Sequence, residues 1–139
     1  MIDFHFECDF ELKESTYYAD WIGRIIVSEE DILGKLDYIF CDDEYLLGIN
    51  RQYLNHDTYT DIITFPYEEV GGISGDIFIS IERVRDNAKE YQVDFETELK
   101  RVMAHGVLHL LGYGDKSEEE ADLMRSKENE KIKLFHVEH

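Results

Sequence analysis

Apolar and polar residues alternate from Ile2 to Phe10, with Ile2, Phe4, Phe6, Cys8 and Phe10 on one side and Asp3, His5, Glu7 and Asp9 on the other. A period of two predicts a half-buried strand, with His5 exposed on its polar face. The period then lengthens. Tyr18, Trp21, Ile22, Ile25 and Ile26 recur at helical spacing, which predicts a helix capped by Ser15 and burying one stripe. Residues 36–41 read as a second strand, and Asp42 or Asp43 can cap a helix running to about Leu54. A polar loop over 55–60 leads to a third strand over 61–65, stopped by Pro66. Gly71, Gly72 and Gly75 mark the turn into a fourth strand over 77–81, so strands three and four should form an antiparallel hairpin with a wide loop. Helices follow over roughly 82–91 and from about Phe95, the latter capped by Asp94. Ser117-Glu-Glu-Glu120 has the form of a capping box for a last amphipathic helix carrying Ala121, Met124, Ile132 and Phe135. The end of the chain, with His136 and His139, reads as a frayed terminus. Four strands and about five helices predict one α+β domain over residues 1–139, with a small mixed sheet flanked by helices.

The chemistry concentrates in residues 102–115, Val-Met-Ala-His-Gly-Val-Leu-His-Leu-Leu-Gly-Tyr-Gly-Asp. His105 and His109 are four residues apart, so a helix projects both from one face, the spacing that offers two imidazoles to one metal ion. Every other position nearby is apolar or glycine, and no face of this helix looks built for water. Buried imidazoles need partners. A lone histidine here would be an ordinary packed core residue; a pair at this spacing is harder to dismiss. Gly106 costs a helix roughly 1 kcal/mol relative to alanine, which suggests that another backbone passes close by. Gly112 is placed for a left-handed C-cap, after which Tyr113 and Gly114 would return Asp115 toward the histidines. Two histidines and an acid leave a fourth position open, the layout of a catalytic site. The peptidase motif His-Glu-x-x-His is not matched, because Gly106 stands where its glutamate would be.

Composition narrows the setting. Hydrophobic residues make up 43% and there is one proline, which argues for a folded domain. No apolar run approaches the roughly 20 residues of a membrane span, and residues 1–7 lack a signal peptide's features, so a cytoplasmic protein is expected. Cys8 and Cys41 are too few for a disulfide framework and should behave as small buried residues. The net charge is −18. Residues 1–115 already hold 25 acids against 9 Lys and Arg, so the excess is not confined to a tail. Few cations are therefore available to neutralise phosphates; Arg83, Arg85, Lys89, Lys100 and Arg101 form the densest group, most simply a solvated helix face.

His105-Gly-Val-Leu-His-Leu-Leu-Gly-Tyr113 resembles the signature of the bacterial YbeY-type endoribonucleases, the ribosomal RNA maturation factors, whose pattern is His-Gly-x-Leu-His-Leu-x-Gly-Tyr-Asp-His. The likeness extends to Asn50-Arg-Gln-Tyr53, to Asp57 with residues 60–65, and to Gly75-Asp76-Ile77. It implies a metal-dependent endoribonuclease directed at single strands and acting in maturation of the small-subunit (16S) rRNA 3′ end and in ribosome quality control. Implied partners are ribosomal RNA and the small ribosomal subunit, with a small-subunit ribosomal protein and an assembly GTPase, and no membrane. The cofactor implied is one Zn²⁺.

Two departures from the family pattern stand out. Asp115 occupies the place of the third histidine ligand, so His105, His109 and Asp115 are the expected metal ligands, with Glu118, Glu119 and Glu120 next in line. A carboxylate should make the ion a weaker Lewis acid and admit harder metals. Leu54 occupies the place of a functional arginine; Arg51, one helical turn earlier, is the expected substrate-binding replacement, with His56 as the alternative. The ion would either activate a water or polarise a phosphoryl oxygen. No side chain is an evident general base, and His56, whose type titrates near neutrality, is the candidate acid–base residue. Asp57, Thr60, Asp61 and Asp76 more simply tie down backbone, and Asn50 and Tyr53 read as structural. Two other readings stand beside the nuclease. One is a ribosome-assembly factor with a structural metal and little nuclease activity, which the acidity and Leu54 favour. The other is a metal hydrolase acting on a small molecule.

Overall fold

A computed structural model of the chain describes the backbone of residues 1–67 and 71–136, with side chains to Phe135. The expectations for the histidines of the tail therefore lie outside the described side chains. The strands are β1 (Ile2–Phe6), β2 (Leu33–Cys41), β3 (Ile62–Pro66) and β4 (Ile73–Ser80). The helices are α1 (Ser15–Ser28), α2 (Asp43–Leu54), α3 (Ile81–Tyr91), α4 (Phe95–Leu110) and α5 (Glu118–Lys133), followed by a short 3₁₀ turn over Leu134–His136. The sheet runs β1-β2-β4-β3; β1, β2 and β4 are parallel and β3 closes as an antiparallel hairpin on β4. This is the mixed four-stranded α+β domain that the periodicities predict.

Alternation sorts the strands between two cores. Leu36, Tyr38 and Phe40 of β2, with Ile77 and Ile79 of β4, join α1 and α4 in the main core. Cys41 and Ile63 face the other way, onto Leu46 of α2. Helix α4 is held against the sheet by Tyr38, whose buried hydroxyl donates to the Met103 carbonyl at 2.9 Å. Burial pushes the Tyr38 phenol pKa upward, so it stays a donor.

Several local expectations change. Strand β1 ends at Phe6, although the alternation continues to Phe10. There the Phe10 N–H turns back onto the Cys8 carbonyl, and its ring packs edge-on against Phe40 and Phe95, so burial outlasts the strand. Ser15 is the first helical residue of α1 rather than its cap; Glu14 takes that place in a left-handed conformation (φ 57°) without a side-chain cap. Asp94 likewise makes no side-chain cap. In α5 the buried positions are Met124, Glu128 and Lys131, whereas Ala121 is exposed. The inward face of this helix is largely ionic.

At Gly106 the close neighbours are side chains, not backbone. A β-carbon there would lie 2.8 Å from Ile77 Cγ2 and 2.9 Å from Ile62 Cδ1. Gly106→Ala is expected to lower stability by about 1–2 kcal/mol in urea unfolding, because overpacking against stiff β-branched chains outweighs alanine's helix propensity.

Candidate metal centre

Helix α4 ends as its glycine predicts. Gly112 takes φ 107°, its N–H donates to the His109 carbonyl at 3.0 Å, and the Tyr113 N–H reaches back to the Leu108 carbonyl at 3.0 Å. This is the paired closure of a Schellman motif. The turn beyond is fixed at two points. The Tyr113 hydroxyl donates to Glu29 at 2.5 Å, and Gly114 packs where a β-carbon would lie 2.8 Å from Glu120 Oε2. Glu120 closes the predicted capping box with Ser117 and also accepts the Lys116 N–H, so its carboxylate is engaged by backbone.

The result brings Asp115 over the two histidines. Its Oδ2 lies 3.3 Å from His105 Nε2 and 3.4 Å from His109 Nε2, and the rings meet edge to face with centroids 4.5 Å apart. All three donors fall within 4.8 Å of one another. A tetrahedral ion with bonds of about 2.05 Å separates its ligands by roughly 3.3 Å, so this donor set fits a zinc-sized ion. Glu118 and Glu119 are exposed first-turn acids outside the cluster. Contrary to the all-apolar reading of α4, the two imidazoles face open clefts, with side chains 21% and 26% exposed.

One supporting group has no motif signal. His105 Nδ1 lies 2.7 Å from Glu128 Oε2, and Glu128, 5% exposed, takes Arg101 Nη1 on its other oxygen at 3.0 Å. A carboxylate on Nδ1 fixes the ring so that Nε2 presents its lone pair toward Asp115. Burial disfavours the charged His105 imidazolium, but Glu128, then Asp115 and Asp61, outweigh it and raise the pKa. Sequence reasoning missed Glu128 because it is an acid on a helix that looks solvated; the only trace is its i+4 relation to Met124.

Two clefts meet at His105. One, of about 580 Å³, runs past Leu54, His56, Thr60 and His109; the other, of about 320 Å³, runs past Asn87, Tyr91, Glu98 and Arg101. Asp61 lies at their junction, and burial raises its carboxyl pKa even though the nearby His105 opposes the rise. His56 thus shares a cleft with the histidine pair. Arg51 does not line either cleft; it is largely exposed and bonds to the Asp57 carboxylate. Asn50 donates to the Thr58 carbonyl at 2.8 Å and the Thr60 hydroxyl to the Ile62 carbonyl at 3.4 Å, both backbone-shaping contacts, and Asp76 of β4 accepts from Tyr67 just beyond β3, across the hairpin.

The profile of the family described as Endoribonuclease YbeY matches residues 7–136. The chain belongs to this family. It is 60% identical over 138 residues to Endoribonuclease YbeY of Flavobacterium johnsoniae, covering 99% of both chains. It is 61% identical over 137 residues to that of Flavobacterium psychrophilum, covering 99% of this chain and 98% of that one. Among solved structures, a Thermotoga maritima protein determined in solution superposes with a TM-score of 0.66 at 28% identity, covering 99% of this chain and 91% of that one. Gly114 leaves space that the Glu120 carboxylate fills, and Leu54 presents an apolar side chain to the larger cleft.

Proposed function

We propose that this protein is a zinc-dependent endoribonuclease that cuts single-stranded RNA, with His105, His109 and Asp115 as the ligands of one ion per chain. The observation that carries this reading is the approach of both Nε2 atoms to one carboxylate oxygen, at 3.3 and 3.4 Å, in a member of the Endoribonuclease YbeY family. When bound, such an ion supplies Lewis-acid chemistry at a phosphodiester. The side chains do the rest. Glu128 holds the Nδ1 proton of His105 and orients the ring. Asp115 brings one negative charge to the site. His56, in the same cleft, exchanges a proton with an oxygen of the scissile phosphodiester. Arg51 neutralises a phosphate on the rim, for which it must leave Asp57; His56→Ala is therefore expected to slow cleavage more than Arg51→Ala.

The substrate is the 3′ region of small-subunit ribosomal RNA, cut in the cytoplasm during maturation and quality control, with a small-subunit ribosomal protein and an assembly GTPase as partners. No described helix is long and apolar enough to cross a membrane. A charge of −18 favours docking through a basic ribosomal protein over docking on bare RNA.

The purified protein should carry about one zinc per chain and cleave single-stranded RNA. Chelation should stop cleavage, and Asp115→Ala should lose most of the metal. Full metal content without cleavage would favour the second reading, an assembly factor with a structural ion, to which Leu54 in the cleft lends support.

A further inference from the structure

The smaller cleft holds a group that the proposed reaction does not use. Glu98 precedes His105 by seven residues on α4, so both look out from the same side of the helix, about 10.5 Å apart along its axis. Glu98 is 4% exposed and lines the cleft. Among the described residues its carboxyl has no hydrogen bond and no ion pair within 4 Å. Burial raises its pKa, with Arg101 opposing and Asp61 and Glu128 adding to the rise. Its oxygens reach the open cleft rather than being sealed off without a partner, and that cleft is a space of about 320 Å³, at the lower end for small-ligand sites of roughly 300–1,000 Å³.

The walls discriminate between ligands. A cation is disfavoured, because Glu98 and its acidic neighbours do not converge; the group of donors that does among the described residues is His105, His109 and Asp115. Both Glu128 oxygens are already taken, by His105 and Arg101. A phosphate inside would face Asp61, Glu98, Asp115 and Glu128. An uncharged ring rich in N–H donors suits the space. Tyr91, on the wall of the cleft, is 59% exposed, and the exposed Arg125 has no ion pair within 4 Å among the described residues.

We propose that this cleft is a guanine subsite for a nucleotide flanking the bond that is cut. Glu98 accepts the adjacent N1–H and N2–H of guanine on its two oxygens, Tyr91 stacks on the base, and Arg125 meets the adjoining phosphate. Uracil offers a single ring N–H there, and adenine and cytosine a lone amino group, so guanine alone matches the carboxyl in two bonds. The subsite builds on the nuclease reading and narrows its substrate.

The test titrates the zinc-loaded protein with guanosine and uridine 5′-monophosphates by NMR, and separately cuts uridine-rich oligonucleotides carrying one guanosine. The guanine nucleotide should bind at least tenfold more tightly, shifting Asn87, Tyr91 and Glu98, and cleavage should fall beside the guanosine. Glu98→Gln should close most of the tenfold gap, since a bidentate contact is worth about that much discrimination. Tyr91→Ala, on an exposed ring, should weaken binding by about tenfold and serves if Glu98→Gln does not fold. Equal binding of the two nucleotides, or a Glu98→Gln protein that keeps the preference, overturns the subsite. Guanine preference without RNA cleavage would keep the subsite and reject the nuclease; cleavage at every base with no preference would do the reverse.

Discussion

On the proposed zinc-nuclease reading, replacing His105 with alanine is expected to abolish zinc binding and RNA cleavage together. His105 is the donor most deeply tied into the fold, with Asp115 on Nε2 and the buried Glu128 on Nδ1. Its loss takes one of the three proposed ligands and leaves Glu128 with Arg101 as its remaining partner. Zinc affinity should fall by more than the roughly 10- to 100-fold typical for removing a supporting partner. Glu128→Gln supplies that smaller step: the amide oxygen can still take the Nδ1 proton, but without the charge. Competition with a chromophoric chelator, run on both variants, should give two distinct losses with cleavage falling in parallel. Equal affinities for wild type and His105→Ala would remove the histidine from the site.

The second large effect is expected at Glu29, far in sequence from any motif although its carboxylate holds the Tyr113 hydroxyl. Its carboxylate accepts from Lys131 at 2.7 Å, from Lys127 at 3.2 Å and from the Tyr113 hydroxyl. The Lys131 side chain is 1% exposed. Glu29→Gln keeps an acceptor but removes the charge, leaving the buried ammonium with Glu130 as its one carboxylate, beside the Ser28 hydroxyl, and a loss of about 1–3 kcal/mol is expected in urea unfolding. Burial works against the Glu29 charge, but Lys131, Tyr113 and Lys127 outweigh it and hold the pKa down to about 2. A depressed carboxylate pKa stabilises the fold above the ordinary value near 4.5, and that stabilisation drains away as the pH falls toward 2. Unfolding measured between pH 5 and 2 should therefore be steeper for wild type than for Glu29→Gln. Parallel curves would mean that Glu29 does not carry the acid sensitivity.

Sequence and structure agree where the signal is local. Helical spacing puts His105 and His109 on one face, and a glycine after the last apolar residue stops the helix; those two facts deliver Asp115. The sheet follows from alternation, because a period of two assigns Ile77 and Phe78 to opposite cores without knowledge of partners. What stays hidden is long-range pairing of charges. Glu128 and Lys131 sit on α5, whose composition suggests solvent, and the packing of α5 on α4 and α1 turns them inward; Glu98 lies in the first turns of α4, where an acid reads as an exposed N-terminal charge. Gly106 was legible as a close approach, yet a single sequence does not say that isoleucine side chains are what approaches. Arg51 follows the same rule: its spacing from Leu54 is local, but its pairing with Asp57 turns it outside the clefts.

The single tryptophan gives all of this an optical readout. Trp21 is fully buried on α1, donates its indole N–H to the Lys131 carbonyl of α5 at 2.7 Å, and packs edge-on against Tyr18 and Phe135. Its emission therefore reports whether α5 is seated, and α5 carries Glu128. Undocking of this helix would shift the emission to longer wavelength before the sheet opens, so any ion binding that steadied the His105–Glu128 contact would become visible as a fluorescence change some distance from the proposed site.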